Sequence, residues 1–321
     1  MKFLVLIGGG RAGIDLFQSL LDQHSQVSQF PGVFNLNKFL KKIKNINQSD
    51  KIAKIFVQDY SIFFDSRKNK IERHDQLGDK KNSFYKLNEK KFEMVFKRLI
   101  GKKKLNTKNI VISLHLAYST ISKENINKKK IIAINLHTEE NIVGLGNLNF
   151  TTLYTIRDPI VSLSSGFKHW MNYKNGKFVT PWSIFFHIDR QFNSLKKISF
   201  KDNSAIVIRL ESLHLNSKIT MKKFCRVLKI NFENSLLKST YHNKKWWGDS
   251  LSQKFLNGLN KNFKNKVYYD LFFQKDLNLI EFFLSPIYLK YKYNFRFKKN
   301  KENYSFLKLY PLKIELLIFL K

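Results

Sequence analysis

The opening stretch "KFLVLIGGGRAGIDLFQSLL" constrains this chain most: an apolar run, a glycine-rich turn and a helix-compatible continuation. Consecutive apolar residues read as a strand buried on both faces, which belongs in a parallel sheet covered by helices. Besides 2–8, four runs share that character: 109–116 ("NIVISLHL"), 130–137 ("KIIAINLH"), 151–157 ("TTLYTIR") and 204–211 ("SAIVIRLE"). Helix-length segments such as 14–24 and 160–175 lie between them. The alternation predicts an α/β fold, a central parallel sheet of about five strands flanked by helices. The glycine turn then falls at the carboxyl end of a strand, where open α/β sheets bind ligands.

With 321 residues, 43% of them hydrophobic, the chain can bury a sizeable core. No internal repeat or Pro/Gly/Ser-rich linker divides it. The simplest organisation is one domain over 1–321, with a Lys/Phe-rich, mostly helical insertion at 34–108 and a helical and loop part at 212–321. The single cysteine, Cys225, excludes an intramolecular disulfide framework and a cysteine-based zinc cluster. Its spacing from Phe224, Val227 and Leu228 reads as a buried helix position. The first apolar run ends in glycines and Arg11, unlike a signal peptide, and no stretch reaches the length of a membrane span. The terminal "FLKLYPLKIELLIFLK", broken by Pro311, reads as a helix docked on the core, with membrane-surface contact as the alternative. These features predict a cytoplasmic chain, with peripheral contact at the inner membrane face kept open.

The formal net charge is +34. It fits a partner with several negative charges, such as a nucleotide, a nucleic acid or an acidic glycan. General lysine enrichment accounts better for the bulk of it, because the excess is spread along the chain. No nucleic-acid recognition motif accompanies it, so no nucleic-acid partner is expected.

Three motif families compete for the glycine turn. Gly8, Gly10 and Gly13 match the dinucleotide fingerprint after a strand. That reading, a Rossmann-type oxidoreductase, needs an acidic residue about twenty positions on to hold the ribose. The corresponding "SQVSQFPGVFNLN" contains no Asp or Glu. A nucleoside-triphosphate loop needs Lys and Ser or Thr after its last glycine, where this chain has Ile14 and Asp15.

The third candidate brings in "LYTIRDPIVSLSSGFKHW" at 153–170, where a strand ends in Arg157 and Ser165 follows eight residues later. Together with the first loop, this segment resembles the sulfotransferases that use 3′-phosphoadenosine 5′-phosphosulfate (PAPS), of the bacterial carbohydrate-acting type. "VIRLESLHLNSKITMKKFCRVLKI" and "KKWWGDSLSQKFLNG" also follow that family's style. The resemblance implies that Gly10, Arg11, Ala12, Gly13, Ile14, Asp15 and Leu16 cradle the 5′-phosphosulfate. It implies that Arg157 and Ser165 clasp the 3′-phosphate, and that a late loop with Trp247 and Gly248 closes over the nucleotide. The residues support this independently, since two cationic positions suit a ligand with two phosphate-type groups. The loop departs from the family where Ala12, Ile14 and Asp15 replace hydroxyl residues. Asp15 could orient Arg11, contact the acceptor or move a proton.

Sulfonate transfer is an in-line displacement that leaves adenosine 3′,5′-bisphosphate and needs no metal, and the sequence shows no convincing metal-ligand cluster. The resemblance points to a histidine at a strand end as base. His137, twenty residues before Arg157, holds that place, and His115 is the second candidate, with Glu139 and Glu140 behind them. Arg11 is assigned charge stabilisation. Each histidine has a plain structural reading as a satisfied, partly buried side chain; His24 reads more simply as structural, and Trp246 and Trp247 could stack on adenine but in so aromatic a chain read more simply as core. The expected acceptor is a hydroxyl of a glycan, glycolipid or glycosylated protein. The oligomeric state is not readable from the sequence.

Overall fold

In a computed structural model, which describes residues 1–142, 145, 148–172, 205–252 and 254–296, the first strand β1 (Lys2–Gly8) runs through the middle of the sheet. It leads through the glycine turn into α1 (Ile14–Leu20) and then β2 (Val27–Gln29). Four helices follow: α2 (Leu36–Ile43), α3 (Ser49–Asp59), the single turn α4 (Ser61–Phe64) and α5 (Glu89–Ile100). Next come α6 (Thr107–Ile121), β3 (Ile131–His137), β4 (Phe150–Ile156), α7 (Pro159–Asn172) and β5 (Ile206–Arg209). Helices Leu210–Leu215 and Ser217–Leu228 then precede a small hairpin of β6 (Thr240–Tyr241) and β7 (Lys244–Lys245). Helices Gln274–Phe283 and Ser285–Lys290 close the described part. The expected terminal helix at 306–321 lies outside the described residues.

The five-stranded sheet has the order β2-β3-β1-β4-β5, and every pairing in it is parallel. The predicted α/β architecture is observed, with one correction. The run at 109–116 is not a strand but the middle of α6. Asn106 caps that helix by accepting a hydrogen bond from the Asn109 N–H at 2.9 Å. Ile110, Val111, Leu114, Ala117, Tyr118 and Ile121 repeat at helical spacing on its buried side. A short apolar run does not distinguish buried helix from buried strand, and here the longer pattern wins. The missing fifth strand is β2, whose three residues leave almost no pattern to read.

β1 is buried on both faces, which explains its uninterrupted apolar sequence. Phe3, Val5 and Ile7 enter one hydrophobic cluster with α2–α6, and Leu4 and Leu6 enter a second with Phe17, Leu153, Phe224 and Cys225. The stretch expected as an insertion is helical over α2–α5. Its phenylalanines, except the exposed Phe84, merge into the first cluster and so cover one face of the sheet. Cys225 is buried, as its spacing indicated.

Candidate functional site

Strand register sets the site. Ile7 of β1 pairs with His137 of β3 on one side, and Gly8 pairs with Thr155 of β4 on the other. The glycine turn therefore emerges between His137 and the segment that carries Arg157, all at the carboxyl ends of parallel strands. Thr155 accepts a hydrogen bond from the Gly9 N–H at 3.2 Å. Ser162, in the first turn of α7, donates to the Gly10 carbonyl at 2.5 Å. The turn is thus held from β4 and from α7.

Gly10, Arg11 and Gly13 all have positive φ. Glycine is required at position 13, where φ is +83° and an added Cβ would lie 2.4 Å from Leu210 Cδ1. Among the described residues, the backbone amides of Arg11, Ala12 and Gly13 donate to no protein acceptor. The side chains of Ala12 and Ile14 are buried, and Leu16 is partly buried and packed on core residues. Of the three side chains that stand in place of the family's hydroxyls, Ala12 and Ile14 thus belong to the core and offer only their backbone to the turn, whereas Asp15 does not.

Arg11 is engaged by the late loop: its Nη1 lies 3.2 Å from Asp249 Oδ2, and its Nη2 donates to Ser252 Oγ at 3.1 Å. Asp15 turns the other way. Its Oδ1 is 3.8 Å from His137 Nδ1, within ion-pair range, and accepts from Asn135 Nδ2 at 3.3 Å. Asn135 also accepts from the His137 N–H at 2.9 Å and donates to Gln18 Oε1 at 2.7 Å. Burial pushes the Asp15 carboxyl upward, but His137, Asn135 and Arg11 outweigh it and hold the pKa below the ordinary value. His137 itself is about half exposed and has a left-handed backbone, φ +63°.

Arg157 does not pair with its neighbour Asp158. That carboxylate is taken bidentately by Arg296, at 3.1 and 2.6 Å. Glu211 likewise accepts from the Asp158 N–H, from Asn265 Nδ2 and from the Tyr293 hydroxyl, and lies 3.8 Å from Arg209 Nε. Among the described residues no carboxylate lies within ion-pair distance of Arg157. Its Nε donates to Asn265 Oδ1 at 3.3 Å and its guanidinium stacks 5.3 Å from the Phe263 ring centroid. Burial pushes its pKa down and the nearby charge of Arg11 adds to this, while Glu211 opposes them. The two arginines therefore feel one another across the mouth of the site.

Ser162, Ser165 and His169 recur at i, i+3 and i+7 and so share one face of α7. Ser162 touches the glycine turn, and Arg11 and the Leu251 backbone influence His169, whose pKa burial pushes down. Ser165, buried, lies between them. Trp247 donates from Nε1 to the Gly78 carbonyl at 2.7 Å, and Gly248 has φ +80°.

The structure does not bring His115 to this site. It is fully buried in α6 with its ring 4.0 Å from that of Phe30, and burial pushes its pKa down to about 3. The premise that it ends a strand fails with the strand. His24 is structural: it is buried, with Nε2 2.9 Å from the Asn231 carbonyl. Trp246 is buried and donates to the Glu72 carbonyl. Glu139 lies 3.4 Å from the Tyr154 hydroxyl, which donates to it.

Sequence reasoning missed Asn135, His169, Asp249, Ser252 and Glu72. Burial pushes the Glu72 carboxyl well above its ordinary range, and Asp15 and Asp249 nearby push the same way, with Arg11 opposing. Glu72 sits in a polar break between helices, without a recognisable pattern. His169 carried a signal, twelve residues past Arg157 on the face of α7 marked by Ser162 and Ser165.

No family model matches the chain, and no curated protein matches it. Solved structures do match. A sulfotransferase domain from the Synechococcus PCC 7002 olefin synthase is 12% identical, with 79% of this chain and 80% of that chain covered and a TM-score of 0.43. For a sulfotransferase domain from the curacin biosynthetic pathway the values are 18%, 91%, 98% and 0.47. Sulfotransferase STF9 from Mycobacterium avium is 9% identical over 92% of this chain and 78% of that chain, with a TM-score of 0.41.

Proposed function

We propose that this chain is a sulfotransferase that moves a sulfonate group from PAPS to a hydroxyl of a carbohydrate or glycoconjugate. Arg157 carries the reading. Its two neighbouring carboxylates are both committed elsewhere, which leaves a planar cation at a strand end beside the glycine turn. The turn adds a second cation in Arg11 and three backbone amides that meet no protein acceptor among the described residues. A ligand with anionic groups at both ends of one ribose suits this spacing of positive charge. The strand order argues against a dinucleotide enzyme, because there β2 lies beside β1 and its end supplies the ribose-binding acid. Here β3 occupies that place, and β2 ends in Gln29.

PAPS, when bound, supplies a sulfonate on a bisphosphate leaving group. Arg157, with Ser165 close by on α7, would hold the 3′-phosphate. The Arg11–Gly13 amides and the remaining N–H donors of Arg11 would hold the phosphosulfate and stabilise charge on the departing oxygen. His137 would take the acceptor's proton. Asp15 faces its Nδ1, which favours the proton on that nitrogen, leaves Nε2 as the base and stabilises the resulting imidazolium. Asp15 thereby replaces a family hydroxyl without presenting a bare carboxylate to the sulfonate, since His137 and Asn135 engage it.

Calorimetric titration with adenosine 3′,5′-bisphosphate and with NADH tests the reading. The bisphosphate should bind and NADH should not; wild-type protein that ignores the bisphosphate overturns it. Arg157→Ala should weaken that binding about tenfold or more, the worth of a charge-assisted contact. His137→Ala should retain binding and lose transfer of labelled sulfate to a glycan panel. An active His137→Ala enzyme would move the base to His169 or a carboxylate.

A further inference from the structure

Next to the glycine turn, the segment 71–83 is laced to the late loop. The Gly78 N–H donates to the Lys245 carbonyl at 2.8 Å, Ser250 N–H to Ile71 at 2.8 Å, and Arg73 Nη1 to Lys254 at 2.8 Å. This places two aromatic rings, Trp247 and Phe255, edge to face with centroids 6.3 Å apart. Three cations rest on them. Lys81 Nζ is 3.8 Å from the Phe255 centroid and 4.9 Å from that of Trp247. Lys245 Nζ is 3.9 Å from Trp247, and the Arg73 guanidinium carbon is 4.5 Å from Phe255.

Counter-charge is sparse: Asp249 and Asp75 act on the largely buried Arg73 from beyond ion-pair distance. Asp79 approaches Lys245 only to 3.8 Å and is 90% exposed. Among the described residues no carboxylate comes within ion-pair distance of Arg73 or Lys81. Aromatic faces hold cations in place without cancelling their charge. Most lysines of this chain must lose side-chain freedom to grip an anion, whereas these have already lost it. Arg73 and Lys81 also adopt left-handed backbone, φ +50° and +57°, which costs a non-glycine residue about 1 kcal/mol and persists where the surroundings impose it.

We infer that Arg73, Lys81 and Lys245, seated on Trp247 and Phe255, form an acceptor subsite for a carboxylate, sulfate or phosphate group on the molecule to be sulfonated. The cluster adjoins the reacting centre, since Asp249, two residues past Trp247, holds Arg11. The word acceptor rests on the sulfotransferase reading; anion binding at this cluster does not.

Calorimetry with three probes tests it: a uronate-containing tetrasaccharide, a neutral tetrasaccharide and glucose 6-phosphate. At least one anionic probe should bind, and which one names the source of the charge; the neutral probe should bind at least about tenfold more weakly. Lys81→Ala/Lys245→Ala should lose about tenfold or more in affinity for the anionic probe, and Lys81→Gln/Lys245→Gln, which keeps the side-chain stems, should lose as much. Lys128→Ala/Lys130→Ala removes the same charge from the exposed amino-terminal edge of β3 and should bind like wild type. Equal loss in the control, equal binding of the neutral probe, or no binding of either anionic probe overturns the inference. Titration of each variant with the bisphosphate separates the two readings. Wild type that binds anionic probes but not the bisphosphate sinks the sulfotransferase reading and leaves the anion site standing.

Discussion

The aromatic face of the sheet and the charged rim at its carboxyl edge solve opposite problems. On the aromatic face, Phe30, Phe34, Phe39, Phe56, Phe63, Phe64 and Phe92 pack ring on ring, and even a histidine, His115, is held neutral by burial. Most of these residues come from one stretch of chain between β2 and α6. The rim is assembled from segments far apart in sequence: Arg11 meets Asp249, and Asp158 meets Arg296. Arg11, Asp249 and Arg296 stay partly exposed while Asp158 is buried beneath its partner, and the charges are shared among several groups. Cohesion is concentrated in the first region and chemistry in the second.

The largest effect should come from the aromatic face. Phe56 is fully buried and meets six other phenylalanine rings, including Phe30 at 5.0 Å and Phe92 at 5.4 Å. Phe56→Ala should cost about 3–5 kcal/mol in denaturant unfolding. If it cost less than the rim variants, the division of labour drawn above would be wrong.

Arg296→Ala leaves Asp158 buried without its bidentate partner and should cost about 2 kcal/mol, below the usual range because Arg296 is partly exposed. It should also weaken bisphosphate binding, because Asp158 becomes available to pair with Arg157. Unchanged affinity would show that Asp158 does not compete for Arg157.

Gly13→Ala places a Cβ against Leu210 on left-handed backbone and should cost about 1–2 kcal/mol. Bisphosphate affinity should fall with it, since the same turn presents the amides.

The smallest effect is a slope. Unfolded chain binds a proton on His115 near pH 6.5, while folded His115 refuses it until about pH 3. Stability should therefore fall as pH drops below about 6.5, by up to about 1.4 kcal/mol per pH unit from this residue. His115→Phe should flatten the thermal-melting profile between pH 7 and about 5.5 by about 1 kcal/mol. An unchanged profile would mean that His115 is accessible to protons in the folded state.

Much of this was readable from residues. β1, β3 and β4 announced themselves because strands buried largely on both faces are mostly apolar, and β5, a half-buried edge strand, did so by its run of β-branched residues. The glycine turn was legible because left-handed backbone against a close neighbour leaves few alternatives to glycine. α6 was misread because its apolar centre is shorter than the pattern needed to separate a helix from a strand. β2 was missed because three residues carry no period.

At the site, the sequence by itself placed Arg157 and His137 at strand ends, because strand ends are local features and parallel sheets put their ligands there, but it read His115 the same way, and only the fold set that residue inside α6. Only the tertiary structure decided what each of them touches. That Asp15 faces His137, that Asp158 belongs to Arg296 rather than to Arg157, and that Arg11 is met by Asp249 are all contacts between segments remote in sequence. Charge pairing depends on distance in space, which falls off within a few ångström and leaves no period along the chain. The same holds for Trp247: an aromatic residue in the sequence becomes a seat for Lys81 and Lys245 once two distant segments are hydrogen-bonded together.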